Sequence, residues 1–212
     1  MIKKKNICII DYGFGNITSL ENSLKYLNFD YVSLKDSKNL SNFSHLFLPG
    51  VGAFEAGMAK LKKLKWDKEI NRFIKKGGYV FGICLGMQLL FKHGTNEKTN
   101  KAMKGLGFLD GKCEKFFLKS NKNKFPLPHV GYNSVNHKET KIWNGIKNPS
   151  YFYFIHSYRV NSTSNLNICS KTNYGEEFIS FVEKKNIFAS QFHPEKSHLI
   201  GLKLIRNFCN LK

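Results

Sequence analysis

The sequence contains very little arginine for a chain so rich in positive charge. The 212 residues carry a formal net charge of +19, yet the only arginines are Arg72, Arg159 and Arg206. Arginine is the residue suited to bidentate recognition of phosphates and bases. The lysines are scattered over the chain and are not gathered beside aromatic residues, so we expect a solvated basic surface and no nucleic-acid partner.

Closely spaced cysteines are also missing. The five cysteines are odd in number and far apart, and no C-x-x-C pair occurs. Neither a zinc site nor a disulfide framework is therefore indicated, and we expect no metal and no other cofactor. Four of the cysteines are expected to be small buried apolar residues. Only Cys84 lies in a local sequence that suggests chemistry.

Long apolar runs are absent as well. No stretch approaches the roughly 18 apolar residues that a membrane-spanning helix needs. The basic segment 1–6 is followed by apolar residues 7–10, which are too few for a signal-peptide core and end at Asp11. We expect a cytoplasmic chain with no membrane partner. Its length and hydrophobic fraction of 42% suit one domain over residues 1–212.

In the first half of the chain, short apolar runs alternate with helical patterns, which favours a mainly parallel sheet covered on both faces. Reactive groups in such sheets lie at the carboxyl ends of strands. Tight turns follow Asp11, Leu48 and Gly82, so we expect three distant segments to meet at one crevice. The predicted strands are 7–11, 31–34, 45–48 and 79–82, and the predicted helices are 17–27, 54–64, 66–76 and one that begins near Leu85.

The pattern changes between Cys113 and Gln191, where short strands are separated by Asn, Ser, Gly and Pro. This half is predicted to be antiparallel, with strands at 130–135, 151–155, 166–170, 178–182 and 187–191. A final helix over 197–211 carries an apolar face of Leu199, Leu202, Ile205, Phe208 and Cys209. The expected fold class is α/β, with a mainly parallel central sheet, helices on both faces and a smaller antiparallel sheet region in the C-terminal half.

The segment Gly82-Ile-Cys84-Leu-Gly86 is the cysteine version of the G-x-S-x-G nucleophile elbow. A strand must pass into a helix through one strained residue, so both flanking positions must be small. The nucleophile then stands at a helix N-terminus, which favours the thiolate. The N–H of Leu85 can help to form an oxyanion hole. The alternative is that Cys84 is a core residue and the glycines only permit packing.

A matching base occurs in His193-Pro-Glu195. In an extended backbone, residues two apart face the same side, so the carboxylate can fix one imidazole nitrogen and leave the other for the thiol. Taken alone, the segment is also compatible with an ordinary turn after a strand. Together with the Cys84 elbow it predicts a nucleophile, a base and a group that orients the base.

These motifs resemble the class I, triad-type glutamine amidotransferases, and more closely the glutaminase subunits of imidazole glycerol phosphate synthases. The elbow and the His-Pro-Glu motif are shared by the wider class, whereas other segments point to the narrower group. The resembling segments are Asp-Tyr-Gly-Phe-Gly-Asn-Ile at 11–17, Leu-Pro-Gly-Val-Gly-Ala-Phe at 48–54, Gly-Ile-Cys-Leu-Gly-Met-Gln-Leu-Leu-Phe at 82–91, Pro-His-Val-Gly-Tyr-Asn at 128–133, Tyr-Phe-Ile-His-Ser-Tyr at 153–158 and Gln-Phe-His-Pro-Glu-Lys-Ser at 191–197.

The resemblance implies that Cys84, His193 and Glu195 hydrolyse glutamine through a γ-glutamyl thioester. It further implies an oxyanion hole and a set of glutamine contacts. The oxyanion hole would be formed at Val51, Gly52 and Leu85, where the glycines allow a peptide to reorient. The glutamine contacts would be Gln88, His156, Ser157 and Tyr158.

The resemblance also implies a separate (β/α)8-barrel cyclase as partner, to which ammonia passes through the interface in histidine biosynthesis. Asn16, Tyr153 and Lys196 match positions that line this passage. For each a simpler interpretation exists: Asn16 suits a left-handed turn, Tyr153 suits the core, and Lys196 is one more surface lysine.

Two departures from the family pattern keep an alternative acceptor open. Tyr132 stands where the family commonly has tryptophan, and the approach over 124–128 is irregular. A paralogue that supplies ammonia to another synthase, such as a surface-sugar amidotransferase, fits equally well. A basic nucleic-acid-binding module and an inactive scaffold are the remaining alternatives, and the intact triad argues against the scaffold.

Overall fold

The computed structural model describes residues 6–37, 40–117, 125–161 and 168–212, with the side chains of 168 and 169 excepted. The described strands are β1 (Ile7–Ile10), β2 (Tyr31–Leu34), β3 (His45–Gly50), β4 (Tyr79–Cys84), β5 (Phe91–Thr95), β6 (Ala102–Lys104), β7 (Leu109–Lys115), β8 (His129–Val135), β9 (Ser150–His156), β10 (Tyr158–Asn161), β11 (Ile168–Asn173), β12 (Glu177–Lys184) and β13 (Ile187–Ser190). The helices are α1 (Ile17–Tyr26), α2 (Phe54–Lys63), α3 (Trp66–Lys75), α4 (Leu85–Leu90) and α5 (His198–Cys209), and 3-10 turns lie at Lys141–Trp143 and Pro194–Lys196.

The large sheet has the strand order β2-β1-β3-β4-β13-β12-β10-β7-β5-β6, with β11 paired to β12. Neighbours from β2 to β13 run parallel. Antiparallel pairing then joins β13 to β12, β12 to β10 and β10 to β7. Strands β8 and β9 form a separate antiparallel sheet of two strands. The predicted α/β class, with an antiparallel region in the C-terminal half, is confirmed.

The parallel strands are apolar throughout because helices cover both of their faces. On one face, Phe47 and Phe81 pack with residues of α1 and α5, including Leu24 and Phe208. On the other face, the neighbouring strand residues pack against α2, α3 and α4. The alternation of side chains along β3 therefore serves two cores, and it holds the carboxyl ends of β3 and β4 side by side.

Some element predictions are wrong in detail. Strand β2 is an edge strand and only half-buried, because nothing pairs with its outer side among the described residues. The expected apolar face of the last helix includes Leu199, yet 74% of this residue is exposed, because the buried face begins at Gly201. Strand β13 pairs with β4 in parallel as well as with β12 in antiparallel. Strands β5, β6, β7 and β10 were missed, and residues 166–167 lie outside the described residues.

Within the described ranges, no helix combines the length and the apolar composition needed to cross a membrane.

Candidate active site

The nucleophile elbow is formed where β4 ends at Cys84 and α4 begins at Leu85. Cys84 has φ +53° and ψ −108°, a strained backbone conformation for a residue with a side chain. A Cβ atom on Gly86 would overlap the carbonyl oxygen of Leu48, and one on Gly82 would press on Leu90 and on the backbone of Gly86. Both glycines are therefore required by close packing, as the elbow interpretation expects.

The Cys84 side chain lines a cavity of about 290 Å³. The residue is only 6% exposed, so its thiol meets this cavity and is otherwise enclosed. The remaining lining residues are Val51, Gly52, Ala53, Leu85, Gln88, Glu97, Pro128, Ile155, His156, Ser157 and Tyr158. The turns after β3 and β4 thus meet at one crevice. A larger hollow of about 700 Å³ lies beside Phe43 and Gly78, at the opposite end of these strands, and holds none of the predicted site residues.

His193 and Glu195 form a buried pair. The Nδ1 atom of His193 lies 2.7 Å from Oε1 of Glu195, and their side chains are 2% and 4% exposed. The N–H of His193 donates to the carbonyl of Tyr153 at 2.8 Å, which ties this segment to β9. His193 is extended as predicted, but Glu195 lies in a 3-10 turn over Pro194–Lys196 and not in an extended strand. The turn brings the carboxylate back to the ring.

The charge state of His193 depends on its two acidic neighbours. Burial alone would lower the pKa of His193, but the negative charges of Cys84 and Glu195, together with the hydrogen bond to Glu195, outweigh it and raise this pKa to about 10. The ring is thus held as imidazolium when the sulfur is thiolate, which is the ion pair of a reactive cysteine.

The sulfur and the ring are close but not aligned. The Nε2 atom of His193 is buried and has no well-aligned hydrogen-bond partner among the described residues. The thiol of Cys84 is instead directed toward the carbonyl of Ile155, at 3.9 Å. Transfer of the thiol proton to His193 requires the sulfur to turn from this carbonyl toward Nε2. Loosely aligned hydrogen bonds are common in catalytic sites without substrate.

The predicted oxyanion hole is only partly available. The N–H of Val51 donates to the carbonyl of Phe14 in the turn after β1, so it is not free to bind an oxyanion in this conformation. Gly52 is exposed, with φ +109°, a conformation that favours glycine. Leu85 stands at the first position of α4, directly after the nucleophile.

The predicted glutamine contacts line the cavity, but His156 does so with both ring nitrogens already engaged. Its Nδ1 lies 2.7 Å from the carbonyl oxygen of Tyr158, and its Nε2 lies 3.0 Å from Nδ1 of His129. Burial lowers the pKa of His156 to about 3 and that of His129 to about 4. Both rings are therefore neutral at pH 7. Ser157 and Tyr158 are half-buried beside them.

Two polar residues of this site were not predicted. Glu97 contributes a carboxylate to the cavity. The residue as a whole is exposed, but partial burial of its carboxylate and the charge of Glu55 raise the pKa of Glu97. Gln191 is completely buried, and its Nε2 donates to the sulfur of Cys84 at 3.5 Å. A signal for Gln191 was present in the sequence: it is a polar residue that ends an apolar strand, two positions before His193.

The three predicted passage residues lie in different settings. Asn16 is exposed and accepts from the N–H of Ser19 at 3.4 Å as the N-cap of α1, with φ −79°, so the left-handed turn interpretation is wrong. Tyr153 is half-buried and not a core residue. The ammonium group of Lys196 lies 5.9 Å from the centre of the Tyr153 ring. Helix α1 packs against the turn that carries Lys196.

Nearly the whole chain matches one known protein family. Residues 8–210 match the family "Glutamine amidotransferase class-I". The chain belongs to the class I glutamine amidotransferases. The match spans both the elbow and the His193–Glu195 pair.

Close relatives share one name. The chain is 45% identical to "Imidazole glycerol phosphate synthase subunit HisH" of Caldanaerobacter subterraneus subsp. tengcongensis, over 95% of this chain and 96% of the relative. It is 43% identical to the protein of that name from Methanocaldococcus jannaschii, over 97% and 99% of the two chains. The resemblance to the narrower group is thus confirmed.

Solved structures agree on the fold. PurLQS from Thermotoga maritima matches with a TM-score of 0.73 at 20% identity, covering 98% of each chain. A glutamine amidotransferase from the same organism matches with a TM-score of 0.62 at 16% identity, covering 91% of this chain and 76% of that one. At such low identity these likenesses support the architecture alone.

Proposed function

We propose that this chain is the glutaminase subunit of imidazole glycerol phosphate synthase. It hydrolyses glutamine in the cytoplasm and passes the ammonia to a (β/α)8-barrel cyclase subunit in histidine biosynthesis. The observation that carries the proposal is the buried His193–Glu195 pair, 2.7 Å apart, beside a cysteine on a strained strand-to-helix turn. The sequence identity of 45% and 43% to these two relatives, over nearly their whole length, supports the choice of synthase.

The first half of the reaction forms the thioester. The Cys84 thiolate attacks the carboxamide carbon of glutamine, and the carbonyl π electrons move onto the oxygen. His193 gives its Nε2 proton to the leaving nitrogen as the C–N bond breaks, so ammonia departs and a γ-glutamyl thioester remains. Glu195 accepts a hydrogen bond from Nδ1–H of His193 and stabilises the imidazolium before this transfer.

The second half of the reaction returns the enzyme to its starting state. Neutral His193 takes a proton from water, and the resulting hydroxide attacks the thioester carbon. The C–S bond then breaks, glutamate leaves, and the thiolate faces the imidazolium again. Because the ring first donates and later accepts a proton, it needs the single fixed tautomer that the Glu195 contact supplies.

Oxyanion stabilisation requires a movement in the turn after β3. The N–H of Leu85 follows the nucleophile directly, whereas the N–H of Val51 is bound to the carbonyl of Phe14. Rotation of the peptide that joins Gly50 to Val51, for which glycine at position 50 gives conformational freedom, releases this donor into the cavity. Partner docking selects the rotated form, so the glutaminase stays slow until the acceptor is present. A comparison of this turn with and without the partner and its ligand tests the switch.

The cavity offers groups for the amino-acid part of glutamine. Glu97 contributes a carboxylate that suits the α-ammonium group, and Gln88 with Ser157 and Tyr158 surrounds the rest. The volume of about 290 Å³ suits a small amino acid. The hydrogen bond between His156 and the carbonyl of Tyr158 holds this side of the cavity in place. The ring nitrogens of His156 are therefore not used to bind substrate.

An exposed apolar face beside the cavity supports a protein partner. Strands β8 and β9 turn one face inward with Phe152 and Phe154 and leave the other uncovered. On the uncovered face, Val130, Tyr132, Tyr151 and Ile155 are 39–60% exposed. Contiguous apolar surface of this kind marks an interaction site. Tyr153 belongs to this face, Lys196 lies against its ring, and the Tyr153 carbonyl accepts from the N–H of His193, which suits a passage for ammonia.

Complementation of a histidine auxotroph that lacks its glutaminase subunit tests the proposed pathway. The wild-type chain, expressed with the barrel partner of its own source organism, is expected to restore growth without histidine. Cys84→Ala is expected not to restore it, although ammonia added in excess bypasses the need for a glutaminase. Failure of a folded wild-type chain paired with this cyclase would reject the histidine pathway and favour another acceptor, such as a surface-sugar synthase.

A further inference from the structure

The side chain of Gln191 bridges the nucleophile and a predicted glutamine contact. Its Nε2 lies 3.5 Å from the sulfur of Cys84, and its Oε1 lies 3.0 Å from Nε2 of Gln88. Gln191 is 0% exposed and Gln88 is 5% exposed, so water does not compete for these bonds at Gln191. A buried amide with no such partners would be costly, and here both of its ends are used.

The orientation of both amides follows from one backbone carbonyl. The oxygen of Tyr158 can only accept, so the Gln88 atom 3.3 Å away must be its NH2 group. The second hydrogen of this NH2 group is then donated to Gln191, which must accept it through its side-chain oxygen. The NH2 group of Gln191 is therefore the end that faces the Cys84 sulfur. Gln88 thus donates both to Tyr158 and to Gln191, and Gln191 in turn donates to the sulfur.

We infer that Gln191 is a positioning residue that donates a hydrogen bond to the Cys84 sulfur and links it to Gln88. This inference rests on the proposed function, because it gives Cys84 the role of nucleophile. An N–H donor favours the charged form of its acceptor, so Gln191 stabilises the thiolate. In a dry site such a bond is stronger than in water.

The link to Gln88 gives the bridge a second consequence. Gln88 lines the cavity, and substrate that contacts it also restrains the amide of Gln191. The Gln191 N–H group thus contacts the sulfur in the conformation in which the thiol is directed toward the carbonyl of Ile155.

Alkylation by iodoacetamide across a range of pH tests the inference directly. The full chain is labelled, and Cys84→Ala identifies the background from the other cysteines. Gln191→Met and Gln191→Leu both remove the two polar contacts, keep a side chain of similar volume and add no charge beside the sulfur. Ser190→Ala is the matched control, since Ser190 is also 0% exposed and its hydroxyl donates to the carbonyl of Phe192 at 2.9 Å.

Both Gln191 variants are expected to move the midpoint of the alkylation profile up by about one to two pH units, the range for a hydrogen bond to a charged group. At neutral pH their labelling slows about 10- to 100-fold. Ser190→Ala leaves the midpoint unchanged. Melting temperatures are measured for the wild-type chain, both Gln191 variants and Ser190→Ala, because a purely structural role lowers stability without moving the midpoint.

An unchanged midpoint in either folded variant would overturn the role of Gln191. If Gln191→Met does not fold, Gln191→Leu decides, since it removes the same donor with a differently shaped uncharged side chain. Loss of this inference leaves the proposed function intact as long as Cys84→Ala abolishes glutamine hydrolysis. Hydrolysis that survives in Cys84→Ala defeats the proposed function instead, whatever the alkylation profiles show.

Discussion

Replacing Cys84 with alanine is expected to lower glutamine hydrolysis by the chain and its barrel partner by about 10⁴-fold or more, as removal of a covalent nucleophile does. The sulfur forms the bond to the substrate carbon, and no other side chain of the described residues occupies the tip of the elbow. Glutamate release from glutamine, measured with the partner and its ligand present, gives the rate. Binding of the partner is expected to persist, because Cys84 lies inside the cavity and only 6% of it is exposed.

Cys209→Ala is the control for the loss of a thiol. Cys209 belongs to α5, is buried in the core and lies outside the cavity lining. Its replacement is expected to lower the free energy of unfolding and to leave the rate of hydrolysis within about twofold, since the loss is confined to the core away from the cavity. Equal loss of hydrolysis in both variants would show that the effect of Cys84→Ala is structural and would contradict the role of the nucleophile.

Replacing Glu195 with glutamine is expected to lower kcat by about 10²- to 10⁴-fold, the order found when the orienting carboxylate of a triad becomes an amide. The shape is kept, but the NH2 group of the new amide faces Nδ1 of His193 as a donor and favours the wrong tautomer. Loss of the carboxylate also removes one of the two acidic neighbours that raise the pKa of His193. The pKa of His193 is therefore expected to fall in the variant, and NMR titration of the ring measures it.

Glu177→Gln is the matched control for Glu195→Gln. Glu177 pairs with Lys171 at an exposed position, with 57% of the Glu177 side chain accessible. Exposed ion pairs contribute little, so neither kcat nor the titration of His193 should change. A Glu195→Gln protein with normal kcat would contradict the assignment of Glu195 as the group that orients the base.

Much of the fold could be predicted because its signals are local. The continuous apolar runs of β1, β3 and β4 mark strands covered on both faces, and the turn after Gly82 marks the elbow. The glycine spacing around Cys84 predicted a backbone conformation that the structure has, with φ +53°. Residue type alone was informative there, since only small residues fit against the Leu48 carbonyl.

Other features depend on contacts that no local pattern encodes. Strand β7 was missed because its sequence is mostly polar and only Leu109 and Cys113 are buried, so its alternation is weak. The bond from the Val51 N–H to Phe14 joins two turns that are far apart in sequence. The bridge by Gln191 likewise depends on the neighbouring ends of β13 and β4. The single domain over 1–212 and the roles of the site residues stay predictions.

The central claim is that Cys84 forms a covalent bond to glutamine, and one measurement tests it most directly. A glutamine analogue with a diazoketone in place of the carboxamide alkylates an attacking thiolate with loss of nitrogen gas. Peptide mapping of the treated complex is expected to find one adduct, on Cys84, with labelling slowed by excess glutamine and absent in Cys84→Ala. An adduct on another residue that glutamine still suppresses would contradict the account.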